Sequence, residues 1–485
     1  VLFNSYPFIL LFLPVTIIGY FYLTKQHFIT AAKAWLVLAS LAFYGWWNMA
    51  YLPLMVGSIL FNFAVGTILV QGPSKKHVLP PKRILQVGLL MNISLLGYFK
   101  YTDFFLDNIN ILYGTHYLLP NILLPLGISF FTITQITYLV DCYEGLVKEM
   151  DFLNYLLFVT FFPHLLMGPI LHHKQMMPQF DSLRSKVFQP RNFMYGILLF
   201  TIGLVKKVLL ADTFASWANQ GFTAGTQLTV LEAWAVSLSY TFQLYFDFSG
   251  YSDMALGTAR MFNIHLPINF NTPYKATTII EFWQRWHISL TQFITTYLYT
   301  PILKGMGKIT FANAMLATFI AMVIAGLWHQ AGWGFLLFYI LHAMALIMNH
   351  WWRRRKYKLP TALAWLLTFL FVNFTLVIMR SPELTTAFAM IRTMLGWGRF
   401  VIPDVLLPYL TWLPGITIYG AFTMITLQTL SYLIVGFLLS ICWKNSQQLA
   451  TSIRPNYASA LVVATALIIT LLHLNQVSEF LYFKF

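Results

Sequence analysis

Apolar runs long enough to cross a bilayer recur from one end of this chain to the other, and few folds tolerate that. A bilayer core offers no water to exposed backbone groups, so only helices and closed β-barrels can span it. The runs here are continuously apolar rather than alternating, which excludes a barrel and leaves an all-α polytopic integral membrane protein. Composition agrees. Hydrophobic residues make up 58% of the chain and charged residues 9%, where a soluble domain carries about 25% charge. No polar stretch is long enough to build a soluble domain, so residues 1–485 read as one membrane domain, with no nucleic-acid partner expected.

In chain order, spans are expected over residues 7–23, 31–47, 51–70, 85–101, 118–140, 193–210, 231–246, 311–328, 361–378, 416–443 and 458–472. With broken pieces the tally is about eleven to thirteen spans plus re-entrant elements. The first run lacks a basic n-region and an A-x-A site, so it reads as a retained span rather than a signal peptide. Basic loops set the orientation. Lys75, Lys76, Lys82 and Arg83 mark one cytoplasmic loop, and Arg353, Arg354, Arg355, Lys356 and Lys358 mark the strongest. Residues 102–117 carry Asp103 and Asp107 without Lys or Arg and read as an outer loop, as does 380–414 despite three arginines. Both termini are then extracytoplasmic. The net charge of +15 fits this topology and contact with anionic lipid, and would also draw an anionic cytoplasmic substrate.

Polar residues inside the apolar runs carry the functional signal. Pro163, Gly168 and Pro169 break the run 152–171, which points to a re-entrant or broken element. Its His164, His172 and His173 lack a nearby carboxylate or thiol and read as a polar interfacial loop, so no metal site is expected. Lys206 and Lys207 read as snorkelling cations, or as groups reaching a polar cavity. Asp247 and Asp253 are intramembrane carboxylates, either functional or bonded around a break at Gly250.

The stretch 281–342 concentrates the unusual residues. A helical wheel through it places Arg285, Ser289, Gln292 and Thr296 on one polar stripe, with Glu281 four residues before Arg285 as its partner. On that wheel His287 points away from the stripe, into protein. His329 ends an apolar run beside Gly332 and Gly334, where it could face polar space as a general base or be structural. His342 reads as a packing or hydrogen-bonding partner. No nucleophile elbow, phosphate loop or zinc-protease motif occurs. One good histidine without a side-chain nucleophile suggests direct transfer, in which a base deprotonates an acceptor hydroxyl that attacks an activated acyl group.

The strings LPLGISFFTITQITYLVD, FFPHLLMGPI, GLVKKVLLADT, YFDFSGYSDMALGTARMF, LPINFNTPYKATTIIEFWQRWHISL and GLWHQAGWGFLLFYILHA resemble the membrane-bound O-acyltransferase family, in its bacterial alginate-acetylase-like branch. That resemblance implies a bowl of tilted spans around a transmembrane tunnel. Residues 245–342 would be its catalytic core and residues 480–485 a C-terminal aromatic motif. His329 would be the catalytic histidine and His287 its companion, with Asp247, Asp253, Asn269, Trp283, Arg285, Trp286, Trp328 and His342 lining or supporting the tunnel. Acetyl-CoA would be the donor substrate, with no tightly bound cofactor, its phosphates drawn to Arg353, Arg354 and Arg355. A periplasmic SGNH-type partner of esterase fold would pass the acetyl to a polysaccharide such as alginate or peptidoglycan. Similarity to the lipoteichoic-acid D-alanylation system casts Tyr482, in the ending FLYFKF, as an acyl carrier; otherwise it is an interfacial anchor. Two departures from the branch stand out: LYTPILKGMGK where LYIPLGGNR is usual, and Gln330 after the histidine in place of glycine. A transporter or a non-catalytic scaffold are the rival readings, the first weakened by the lack of an internal repeat.

Overall fold

The structure, a computed structural model, describes residues 2–71, 79–147, 150–403, 405, 425–474 and 480–481. It is helical, with no strand among the described residues. Seven of its helices are long and apolar enough to cross a membrane: α1 (Pro7–Lys25), α3 (Met49–Gln71), α4 (Pro81–Tyr113), α9 (Pro190–Ala224), α14 (Phe311–His329), α15 (Trp333–Arg354) and α16 (Thr361–Arg380). An eighth span results if α18 (Leu427–Ile441) and α19 (Ser446–Ser452), bent by 76°, are one. Two shorter apolar helices, α2 (Ile29–Gly45) and α20 (Tyr457–Leu472), complete the apolar set. Sequence punctuation explains many boundaries. Pro7, Pro81 and Pro190 open helices at positions where the missing N–H costs nothing, and Gly114 closes α4 in the left-handed conformation. Asn445 and Asn456 each form a reciprocal cap with the residue three positions on.

The chain divides into two compact units. The first comprises residues 1–202, 251–268 and 474–477. It holds α1 to α4, α5 (Ile128–Tyr143), α6 (Phe152–Thr160), α7 (Phe162–Leu165) and α8 (His173–Asp181). Lipid tails are as apolar as leucine, so helices here associate through close packing and buried hydrogen bonds. Phe3, Phe8, Phe12, Phe43 and Phe162 form a ring cluster with centroids 4.8 to 5.8 Å apart along Phe3–Phe8, Phe8–Phe43 and Phe43–Phe162. Asn62 donates to Asn92 Oδ1 and Gln135 Oε1, and Asn92 donates back to Asn62 Oδ1, which ties α3, α4 and α5 together.

Several expectations for this unit need correction. The acidic stretch after residue 101 is not a loop: α4 continues to Tyr113, and Asp103 accepts a hydrogen bond from the Ile122 N–H at 2.9 Å. The next helix starts only at Ile128, because Gly127 turns the backbone left-handed (φ +71°). The expected break within 152–171 is present between α6 and α7 and again after Leu165. Of its histidines, His172 is half-buried, while His164 and His173 are buried in protein, the latter against Tyr138 and Phe158. Lys75 and Lys76 lie outside the described residues.

The second unit comprises residues 203–250, 269–473 and 478–485. It contains most of α9 and of α10 (Val230–Met261), then α11 (Ile279–Arg285), α12 (Ile288–Phe293), α13 (Thr300–Gly305) and α14 to α20, including α17 (Leu384–Arg392). Gly250 does not break α10, which runs straight through it. A side chain there would meet the Gly203 carbonyl at 2.8 Å, so the glycine serves close backbone approach. Lys207 does not snorkel either. It is buried between Asp247 and Asp212, at 2.7 and 2.8 Å, because two carboxylates within reach outweigh the distant water. The expected loop after Arg380 contains α17, and residues 406–424 lie outside the described part.

Candidate functional site

The segment carrying His287 is not one helix, which overturns the wheel. Helix α11 begins at Thr278, whose hydroxyl accepts from the Glu281 N–H, and Glu281 in turn accepts from the Thr277 N–H and hydroxyl. Arg285 pairs with Glu281 at 2.8 Å, as the four-residue spacing predicts. Partial burial would raise the Glu281 pKa, but these donors and Arg285 hold its carboxyl below the usual range. The helix then stops. His287 adopts a left-handed conformation (φ +46°, ψ +54°), unfavourable for a residue with a Cβ and tolerated only where surroundings fix it. Arg285 and Ser289 therefore share no helical stripe.

Asn269 does the fixing. Its carbonyl oxygen Oδ1 accepts the backbone N–H of Ser289 at 3.2 Å and the Ser289 hydroxyl at 2.9 Å, and its backbone carbonyl accepts the Ile288 N–H at 2.9 Å. Asn269 thus caps α12 from a distant strand of chain, satisfying two N–H groups that a helix start leaves open. The Oδ1 atom also lies 3.1 Å from His287 Nδ1. Because the Ser289 N–H can only donate, that atom is an acceptor, and His287 must donate from Nδ1. Its Nε2 then carries a lone pair; that atom is buried without a hydrogen-bond partner in the structure.

His329 is fixed by the same logic from another element. It is the last residue of α14, and the turn 330–332 leads directly into α15. Its Nδ1 lies 2.8 Å from the Ala325 carbonyl, which only accepts, so Nδ1 donates and Nε2 is the acceptor. The Tyr339 hydroxyl lies 2.9 Å from that Nδ1 and 3.2 Å from Nε2, so it can share the Nδ1 proton with the Ala325 carbonyl or donate to Nε2. Gly326 lets the two helices approach this closely: a Cβ there would meet that of Tyr339 at 2.8 Å. The imidazoles of His287 and His329 are perpendicular, with centroids 6.2 Å apart.

Both histidines line one cavity of about 40 Å³, room for a few water-sized groups. Its other walls are Leu244, Phe248, Tyr274, Phe282, Trp283, Trp286, Phe335, Phe338, Tyr339, Leu376 and Met379. His329 therefore faces aromatic and aliphatic surroundings rather than the polar space its glycine neighbours suggested. Among the described residues no carboxylate lines the cavity. Among the described residues no group of three His, Cys, Asp or Glu is placed to hold a metal.

The remaining expected residues fall in distinct places. Trp283 and Trp286 are on the wall, and Trp328 packs edge-on against His329 with centroids 4.5 Å apart. His342 stands behind the wall: it accepts from Trp283 Nε1 at 3.1 Å and donates from Nε2 to the Thr375 hydroxyl at 2.9 Å. Arg285 bonds Glu281 and the Asn271 carbonyl and is not a wall residue. Asp247 is engaged with Lys207 off the cavity, and Asp253 belongs to the other unit. Arg353, Arg354 and Arg355 end α15, exposed, roughly 20 Å along the helix from Tyr339 at 1.5 Å per residue. Tyr482 lies outside the described residues. Sequence reasoning passed over Tyr339, Phe248 and Thr375. Tyr339 has one local signal, a polar hydroxyl in the apolar run between two histidines.

Comparison with known proteins identifies the family. The profile of the membrane-bound O-acyltransferase family matches residues 83–384. The chain is 40% identical to a peptidoglycan O-acetyltransferase of Helicobacter pylori, covering 100% of this chain and 97% of that protein. It is 36% identical to a probable alginate O-acetylase AlgI of Pseudomonas aeruginosa, over 83% of this chain and 76% of that one. A teichoic acid D-alanyltransferase of Bacillus subtilis is 28% identical over 52% of this chain and 68% of its own length. With a family match across most of its length and relatives aligned almost end to end, the chain belongs to the membrane-bound O-acyltransferase family and is an acyltransferase.

Proposed function

We propose that this enzyme takes acetyl groups from acetyl-CoA at the cytoplasmic face and delivers them for O-acetylation of an extracytoplasmic glycan, peptidoglycan being the first to test. The observation that carries this reading is the meeting of His287 and His329 on one buried cavity, each in the tautomer that leaves Nε2 as an acceptor. The relative named as a peptidoglycan O-acetyltransferase, aligned over the whole chain, supports the choice of polymer.

In this mechanism His329 Nε2 takes the proton of an acceptor hydroxyl as its oxygen attacks the thioester carbonyl carbon. The carbon–sulfur bond then breaks, and His329 returns the proton to the departing thiolate, releasing CoA as the thiol. Among the described residues the cavity wall supplies no carboxylate to hold a lasting imidazolium, which favours this prompt return. His287, an acceptor with a spare lone pair, aligns the incoming hydroxyl. The exposed arginines ending α15 bind the donor phosphates, and the positive-inside rule puts them in the cytoplasm with both termini outside. The Tyr482 hydroxyl is the first acceptor, and a periplasmic SGNH-type partner completes delivery.

The test uses purified protein in nanodiscs with acetyl-CoA, and muropeptide analysis of cells carrying each variant. His329→Ala should abolish both transfer and wall O-acetylation; full O-acetylation in those cells refutes the reading. Tyr482→Phe should keep acetyl-CoA binding and lose delivery, and unchanged delivery there removes the carrier step.

A further inference from the structure

Away from the cavity, the second unit buries an ion cluster that the transfer chemistry leaves unused. Lys207, 1% exposed, sits between Asp247 and Asp212. Buried charges persist only where their remaining hydrogen-bonding capacity is also met. The chain's own end contributes here. The Leu481 N–H donates to Asp247 Oδ2 at 2.9 Å, and the Lys207 ammonium lies 4.5 Å from the Phe480 ring centroid. Phe480 is fully buried and Leu481 nearly so. The cluster thus offers a carboxylate oxygen to a backbone N–H and a cation to an aromatic face, two complementary features that together receive Phe480 and Leu481.

The receiving turn also touches the site. Asp247 adjoins Phe248, whose ring stands edge-on to His287 at a centroid distance of 4.8 Å and lines the cavity together with Leu244. One turn of α10 is therefore bonded to the chain end and packed on the histidine. We propose that Lys207 and Asp247 form a receptor for Phe480 and Leu481, and that docking of these two residues there positions residues 244–248, and through Phe248 the His287 ring, for acyl transfer. Lys207 and Asp247 are positioning residues, since neither lines the cavity. The positioning half rests on His287 and His329 being the transfer site; the receptor half does not.

The full chain in nanodiscs, with Tyr482 kept, serves both tests. Leu481→Cys reports docking through maleimide labelling, read at that position by mass spectrometry. Adding Asp247→Asn should speed labelling about tenfold or more, and Asp247→Glu should restore protection. With Leu481→Ala as the control for the lost leucine side chain, Leu481→Pro removes the N–H and leaves the side chains of the ion cluster unchanged, which covers an Asp247→Asn protein that fails to fold. Its kcat for acetyl transfer should fall about tenfold, with KM for acetyl-CoA within about twofold. Equally fast labelling with and without the Asp247 carboxylate overturns the receptor, and wild-type kcat in Leu481→Pro overturns the positioning. If His329→Ala stayed active while labelling still responded to Asp247, the transfer site would be wrong and the receptor would stand.

Discussion

His342 and the pair His287 and His329 share a residue type, a structural unit and near-complete burial, yet they differ in what their nitrogens do. His342 spends both: one accepts from Trp283, the other donates to Thr375, whose hydroxyl passes on to the Val372 carbonyl. That chain is closed, and its product is a rigid Trp283 on the cavity wall. His287 spends one nitrogen on Asn269 and leaves Nε2 over. His329 is tied at Nδ1 by Ala325, with the Tyr339 hydroxyl 2.9 Å from Nδ1 and 3.2 Å from Nε2, a place that another hydroxyl can take. On the proposed assignment, burial does not separate working histidines from structural ones; the unspent or exchangeable lone pair does.

That contrast can be broken at several points. His287→Ala removes the spare acceptor and should lower kcat by about 10² to 10³, with the protein still folded by gel filtration and thermal melting. Asn269→Ala frees the His287 tautomer and uncaps α12, so a loss of about tenfold to a hundredfold in kcat is expected together with a lower melting temperature. Tyr339→Phe deletes the hydroxyl donating to His329 and should change kcat by less than about tenfold, since an acceptor hydroxyl can take that place. His342→Ala should show the opposite profile. It leaves the Trp283 N–H and the Thr375 hydroxyl without their partner, costing about 3 kcal/mol of stability, while kcat per folded molecule falls only a few-fold. A larger catalytic loss for His342→Ala than for His287→Ala would reverse the comparison.

The membrane class, most spans and the position of His329 at a helix end were legible because long apolar runs and isolated polar residues are local signals. The errors arose where distant residues decide local structure. A wheel assumes one helix, but Asn269, eighteen positions upstream, caps a second helix and forces His287 left-handed. Lys207 looked like a snorkelling residue because its partner Asp247 lies forty positions on. Gly250 looked like a breaker, yet what it accommodates is the Gly203 backbone. Thr375 and Phe248 gave no signal of their own, since each acts only through the ring it touches.

The most direct measurement is the rate of acetyl transfer from acetyl-CoA by His329→Ala and His342→Ala, each normalised to folded protein in nanodiscs. If His329 is the base, its variant loses about 10³-fold or more while His342→Ala stays within about tenfold of wild type. Comparable losses in the two variants, or a His329→Ala enzyme within about tenfold of wild type, would contradict the assignment of the base.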